Sequence, residues 1–171
     1  VYMLLVIAYY TGMRKGEIHA LRWSDLCDGT IRVRRSISQK VKGKSAVETA
    51  PKNKASVRTL QIPIPLQTLL DQYIILQKSE FLENWSPDFK VIYGPRCISD
   101  TGLSNFNKAW AKAAGLEPIR IHDYRHSHAS LLANEGINIQ EIARRLGHAD
   151  VKITWQTYAH LYPREEERAL A

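Results

Sequence analysis

The sequence predicts an α+β domain, mostly helical, carrying one small three-stranded antiparallel sheet. Three observations lead there. Apolar residues recur at three- and four-residue spacing over long stretches toward both ends of the chain. Between those stretches, apolar and polar side chains alternate with period two. The 171 residues hold no internal repeat, low-complexity tract or long linker, so a single domain over residues 1–171 is expected, long enough to bury a sizeable core.

Residues 1 to 11 open with Val1, Leu4, Leu5, Val6 and Ile7 and read as a buried first helix. An apolar run of about ten residues is too short to cross a membrane, which takes about 20. No basic segment precedes it, as one does in a secretory leader. Thr11-Gly12 breaks this helix, and a second runs from about Arg14 to Trp23. Asp28-Gly29 signals a turn. Thr30 to Ser38 then alternates, with Ile31, Val33 and Ile37 on one face and Arg32, Arg34 and Ser36 on the other, which is the pattern of a half-buried strand. Lys42-Gly43-Lys44 marks a turn. Ala46 to Ala50 reads as a second strand stopped by Pro51, and Val57 to Ile62 as a third, with Val57, Leu60 and Ile62 apolar.

Pro63 and Pro65 lead into a long helix over about Leu66 to Phe81, striped by Leu66, Leu69, Leu70, Tyr73 and Ile74. Residues 84 to 101 read as loop with a short extended piece at Val91 to Tyr93. Phe106, Ala109, Trp110 and Ala113 give the next helix an apolar stripe, and Gly115 ends it. His122 to Asn134 is helical and closes near Gly136. Ile139, Ile142, Ala143 and Leu146 mark a further helix bounded by Gly147. A last helix spans Asp150 to Leu161, and Pro163 stops it.

The net charge is +7, and its distribution says more than its size. Residues 31 to 58 hold nine basic side chains and one acid, Glu48; the rest of the chain is nearly neutral. A local positive field attracts polyanions, of which nucleic acid is the commonest. Lys40, Lys42, Lys54 and Arg58 in this segment are the candidate DNA contacts. Cys27 and Cys97 form no CxxC pair, so a zinc ribbon is excluded, and two reduced thiols in a cytoplasmic protein are expected.

Six polar residues make one site only if the chain folds them together: Arg14, Lys52, His122, Arg125, His148 and Tyr158. They suit attack on a phosphodiester by a phenol. Charge accumulates on the non-bridging oxygens as the phosphorus becomes pentacoordinate, and a guanidinium meets two oxygens at once without losing its proton. Arg14 and Arg125 are the candidate clamp. His122 lies one helical turn before Arg125, on the same face. Histidine exchanges protons near neutral pH, which a phenol with a pKa of about 10 requires. Lys52, on a basic loop, is the candidate acid for the departing 5′ oxygen, with Lys54 as rival. His148 is placed to donate a hydrogen bond to the same phosphate. Tyr158 is the candidate nucleophile, with Tyr162 as rival; a phosphotyrosine ester keeps the broken strand's energy for resealing. A zinc reading of His122, His126 and His128 is set aside, because Asp123 stands where a zinc helix of the HExxH kind has glutamate. His126 and His128 read as ordinary helix residues.

These residues sit in motifs that resemble the catalytic domain of the tyrosine recombinases, the phage-integrase family. The resemblance covers nearly the whole chain. It rests on Thr11-Gly12-Met13-Arg14-Lys15-Gly16-Glu17 with Leu21-Arg22-Trp23-Ser24-Asp25, and on Lys52 ahead of Ser56-Val57-Arg58-Thr59 and Ile62-Pro63. It rests further on His122-Asp123-Tyr124-Arg125-His126-Ser127-His128-Ala129-Ser130, and on Leu146-Gly147-His148 followed by Thr157-Tyr158-Ala159-His160-Leu161. Tyr124 departs from the leucine of many relatives. The resemblance implies a tyrosine-recombinase catalytic fold, Arg14 and Arg125 on the scissile phosphate, Lys52 as general acid, His122 and His148 assisting, and a 3′-phosphotyrosyl link at Tyr158. It implies no metal and no cofactor, duplex DNA as partner, and a homotetramer on DNA in the bacterial cytoplasm. The family's N-terminal core-binding and arm-binding domains have no counterpart here, so a catalytic fragment is expected. In the family the tail beyond the tyrosine often docks on a neighbouring protomer, a role open to residues 163 to 171. The alternatives are a type IB topoisomerase-like enzyme, a DNA-binding relative without catalysis, and a metal-dependent nuclease.

Overall fold

The computed structural model describes residues 2–38, 47–50, 54–96 and 99–162. Helix α1 (Tyr2–Thr11) buries Met3, Leu4, Ile7, Ala8 and Thr11 and packs chiefly on α5 (Ile121–Asn134). Helix α2 (Lys15–Ala20) is shorter than its apolar pattern predicts. Leu21 turns extended because its carbonyl accepts from Val91 N–H at 2.9 Å, and Trp23 N–H donates to Phe89 O at 3.1 Å. A 3₁₀ turn over Trp23–Asp25 follows, capped by the Asp25 carboxylate on Arg22 N–H at 3.0 Å.

The expected Thr30–Ser38 strand divides in two: β2 (Thr30–Val33) and β3 (Ser36–Ser38). The side chains of Arg34 and Arg35 at the break both bind the buried Asp25 carboxylate. The main sheet has the order β1 (Leu26–Cys27), β2, β5 (Arg58–Gln61), all antiparallel, with Ile31 opposite both Leu26 and Leu60, and Val33 opposite Arg58. The 46–50 segment does not join it. Its described part, β4 (Val47–Thr49), pairs with β3 as a separate ribbon. The third strand, expected over Val57 to Ile62, is β5, and its apolar residues do not share one face. Residues 58 and 60 point inward while Val57 is 55% exposed, because one strand cannot bury both odd and even positions on one face.

Helix α3 (Ile64–Phe81) buries Leu66 and Leu70 as its stripe predicts. It also buries Gln77, whose side-chain oxygen accepts from the Trp23 indole at 2.7 Å and whose amide donates to Val91 O at 3.1 Å. The extended piece expected at Val91–Tyr93 is a tight turn, closed by two backbone bonds between Lys90 and Gly94. Helix α4 (Asp100–Ala113) buries Leu103 and Asn107, and the stripe expected to be core faces outward, with Phe106 50% and Trp110 42% exposed. The amide of Asn107 donates to Ile119 O at 2.7 Å, so the loop before α5 claims that inner face.

Helices α6 (Ile139–Leu146) and α7 (Val151–Tyr158) are N-capped by Asn138 and Asp150, whose side chains accept the N–H two residues on. A 3₁₀ turn (Ala159–Leu161) follows. Two apolar cores result. The larger joins α1, α2, the sheet and α3; the smaller is built of Ala129, Ala133, Ile142, Leu146 and Tyr158. Helix α5 stands between them, with Ile121 and Tyr124 against the larger and Ala129 and Ala133 in the smaller. None of the described helices is long and apolar enough to cross a membrane.

Candidate active site

Arg125 lies on the buried side of α5 and is 3% exposed. Its guanidinium donates to Gly12 O at 2.6 Å and Leu146 O at 2.7 Å, and Nη2 reaches His148 Nε2 at 3.0 Å. A guanidinium only donates, so His148 Nε2 accepts, and its Nδ1 proton faces Thr154 Oγ1 at 2.8 Å. Arg14 precedes α2 and reaches the same place, donating to Gly147 O at 3.2 Å. Arg14, Arg125 and His148 therefore converge on the backbone of two glycine corners.

Both corners need glycine. Gly12 has φ +63° and Gly147 φ +69°, a region that costs other residues about 1–2 kcal/mol. A Cβ on Gly12 would lie 2.6 Å from His128 Cδ2, and one on Gly147 would lie 2.9 Å from Arg58 Nη1. The missing side chains let the two carbonyls approach the arginines.

Glu17 holds the charge balance. One carboxylate oxygen accepts from Arg14 Nη1 at 3.0 Å and Arg58 Nη1 at 3.1 Å; the other accepts from Arg14 N–H and Arg58 Nη2, both at 2.9 Å. Burial pushes the Glu17 carboxyl up, but Arg58 and Arg14 outweigh it and hold it below its usual value. Two guanidiniums thus bond one carboxylate, and that of Arg125 feels its charge without bonding it. Among the described residues, the recorded bonds of Arg125 go only to neutral acceptors. Burial first, then Arg14, pushes its pKa down. His148 is pushed down to about 4 by burial and then by Arg125, Arg14 and Arg58, so it is neutral at pH 7. Uncompensated buried positive charge is costly, and a bound anion would offset it.

His122 is exposed at the start of α5 and lines an open cleft with Lys15, Asp100, Asn107 and Arg120. Burial, then His126 and Arg125, lowers its pKa. Its ring meets the His126 ring edge-on at 4.8 Å. Tyr158 is 4% exposed in the smaller core, and its hydroxyl lies 2.6 Å from His126 Nδ1. Burial raises the phenol's pKa, partly offset by Arg125. The Tyr162 hydroxyl donates to Ile137 O at 2.6 Å.

Lys40, Lys42, Lys52 and residues 163–171 lie outside the described residues, as does the side chain of Lys54. Arg58 is not a surface residue. It is 8% exposed, and besides Glu17 it donates to Arg145 O at 2.6 Å and Ser56 O at 3.0 Å. A side chain so enclosed holds protein groups together and has little left for DNA. Asp123 binds Arg120 and not Arg125. Sequence spacing gives no catalytic part to Glu17 or Thr154, and His126 reads there as an ordinary helix residue. The three-residue step from Arg14 to Glu17, with the glutamate accepting the Arg14 N–H, was legible as a helix cap. Only packing joins His126 to Tyr158.

The sequence matches the family described as "Phage integrase family" over residues 1–165. It is 33% identical to the ICEBs1 integrase of Bacillus subtilis over 94% of this chain and 45% of that protein. It is 29% identical to a XerC-like tyrosine recombinase of Caldanaerobacter subterraneus, over 98% of this chain and 47% of the relative. The chain thus spans about half the length of the curated relatives it matches. Among solved structures, the Tn1549 transposon integrase superposes with a TM-score of 0.78 at 21% identity, over 98% of this chain and 56% of that one. The catalytic domain of the bacteriophage HP1 integrase superposes at 0.58 and 23% identity, over 98% of this chain and 79% of that one. The fold is that of the tyrosine-recombinase catalytic domain, and the chain belongs to the phage integrase family.

Proposed function

We propose that this chain is the catalytic domain of a site-specific DNA recombinase or integrase, which cuts and rejoins strands through a 3′-phosphotyrosyl intermediate at Tyr158. The observation that carries the reading is the meeting of Arg14, Arg125 and His148 over Gly12 and Gly147, with more buried positive charge than Glu17 balances. A scissile phosphate supplies the missing anion. Charge growing on its non-bridging oxygens is then met by donors that packing has already gathered. His148 accepts from Arg125 in the free site. When phosphate draws that guanidinium away, the ring is free to take a proton and donate to the phosphate.

Tyr158 is favoured over Tyr162 as nucleophile because its phenol lies against His126, the neighbour of Arg125 on α5, and feels the Arg125 charge, whereas that of Tyr162 is bonded to the carbonyl of Ile137. Lys52 is assigned the protonation of the departing 5′ oxygen. Lys40, Lys42 and Lys54 remain the proposed phosphate contacts of the basic segment. The Tn1549 neighbour was solved with a circular-intermediate DNA. By that likeness duplex DNA is the partner here, with a homotetramer as the assembly that exchanges strands in the bacterial cytoplasm.

The test is a nicked duplex that loses a short 5′-OH fragment on cleavage. The native protein should leave a denaturation-resistant adduct, Tyr162→Phe should keep it, and Tyr158→Phe should abolish it. The reverse pattern sinks the assignment of the nucleophile. An absolute need for Mg²⁺ would point to a nuclease instead.

A further inference from the structure

The phenol proposed to attack DNA must lose its proton, and its hydroxyl oxygen stands 2.6 Å from one imidazole nitrogen, Nδ1 of His126. We propose that His126 is the residue that takes the Tyr158 proton as the phenol attacks phosphorus, a role that sequence spacing alone would give to His122. The inference rests on the recombinase reading of the site.

Three features support it. The separation is within the reach of general base catalysis without any rearrangement of α5 or α7. His126 is half-buried on the helix that carries Arg125, so the acceptor and the guanidinium are fixed relative to each other by one backbone. Among the described residues, the titratable groups recorded beside its ring are Tyr158 from α7, and His122 and Asp123 from its own helix, with the Asp123 carboxylate tied to Arg120 at 2.9 Å. The His122 ring stands edge-on to the His126 ring, and the phenol hydroxyl is paired with His126.

The step balances. The Tyr158 O–H bond breaks and its proton passes to His126 Nδ1. The freed oxygen pair forms the O–P bond, the P–O5′ bond breaks, and the departing oxygen takes a proton from the general acid assigned to Lys52. In the reverse reaction the His126 proton returns to the phenol oxygen as the ester is resealed.

The experiment measures single-turnover adduct formation by the full-length protein on the nicked duplex. His126→Asn retains a polar partner where Nδ1 stands but has no basic nitrogen. It should slow adduct formation on the order of 10²–10⁴-fold while leaving DNA affinity and thermal midpoint near native values. His126→Ala should be equally slow and should regain activity when free imidazole is added, which a purely structural loss would not do. Adduct formation by His126→Asn within a few-fold of native overturns the inference, and so does an Ala variant that binds DNA but is deaf to imidazole. If the native protein forms no Tyr158-dependent adduct, the underlying recombinase reading fails along with the inference. A Tyr158-dependent adduct that ignores His126 removes this inference alone.

Discussion

The guanidinium of Arg125 stands 3.0 Å from His148 Nε2, so a cation donates to a ring that must stay neutral to receive it. Burial, and then repulsion from Arg125, now keep protons off His148; phosphate bound to Arg125 would cancel the second.

The first prediction concerns that ring. The His148 pKa, pushed down to about 4 in the free chain, should rise when inorganic phosphate or a DNA site is bound. Imidazole C–H shifts followed against pH, with and without ligand, report it. A saturable ligand that leaves the His148 midpoint unmoved would place the anion elsewhere.

Acid should destabilise the fold well before carboxylates titrate. His19 and His128 are buried, and burial pushes each from 6.5 to about 4, helped by Lys15 and Arg145 respectively. Between those values the unfolded chain binds protons that the folded chain refuses. Stability is therefore complete above pH 6.5 and falls as pH drops toward 4, by a few kcal/mol in all. Urea midpoints at pH 7 and pH 5 check this, and His128→Gln should flatten the slope.

Removing the Glu17 carboxylate should be severe. Glu17→Gln leaves Arg14 and Arg58 facing each other without a counter-charge, at a cost of about 3–5 kcal/mol in unfolding free energy. Denaturant unfolding measures it. A loss below about 1 kcal/mol would mean solvent already balances those charges.

Arg58 should differ from the lysines of the same basic segment in DNA binding. Each phosphate contact contributes nearly one unit to the slope of log K against log salt. Lys40→Ala or Lys42→Ala should lower that slope. Arg58→Lys should leave it unchanged while lowering the melting temperature, because Arg58 is enclosed by Glu17, Ser56 and Arg145.

Gly147 and Gly29 offer a matched pair. Both have positive φ, but a Cβ on Gly147 meets Arg58 and Ala55 O, whereas one on Gly29 meets open space. Gly29→Ala should cost about 1–2 kcal/mol. Gly147→Ala should cost more and also slow DNA cleavage, since Arg14 is bonded to the carbonyl of residue 147.

Much of this molecule was legible in its sequence. The motifs around Arg14, Arg125, His148 and Tyr158 named the family and the helical order, because helix breaks at Gly12, Gly136 and Gly147 follow from local backbone chemistry. The sheet was less legible. Period-two alternation marks a strand but does not say which partner it takes, and the segment at 47–49 pairs with β3 outside the main sheet. The α4 stripe of Phe106 and Trp110 has core spacing yet faces outward, since Asn107 binds the loop before α5.

The sequence by itself determined which residue types were available to hold a phosphate and attack it. Tertiary structure alone decided their neighbours. The Val33–Arg58 register turned Arg58 inward onto Glu17, and the packing of α7 on α5 set the phenol of Tyr158 against His126 and left His122 outside. The physical reason is range: caps, turns and amphipathic periods act over a few residues, whereas these contacts join groups 32 and 41 positions apart in the chain, and only burial in a shared core fixes them.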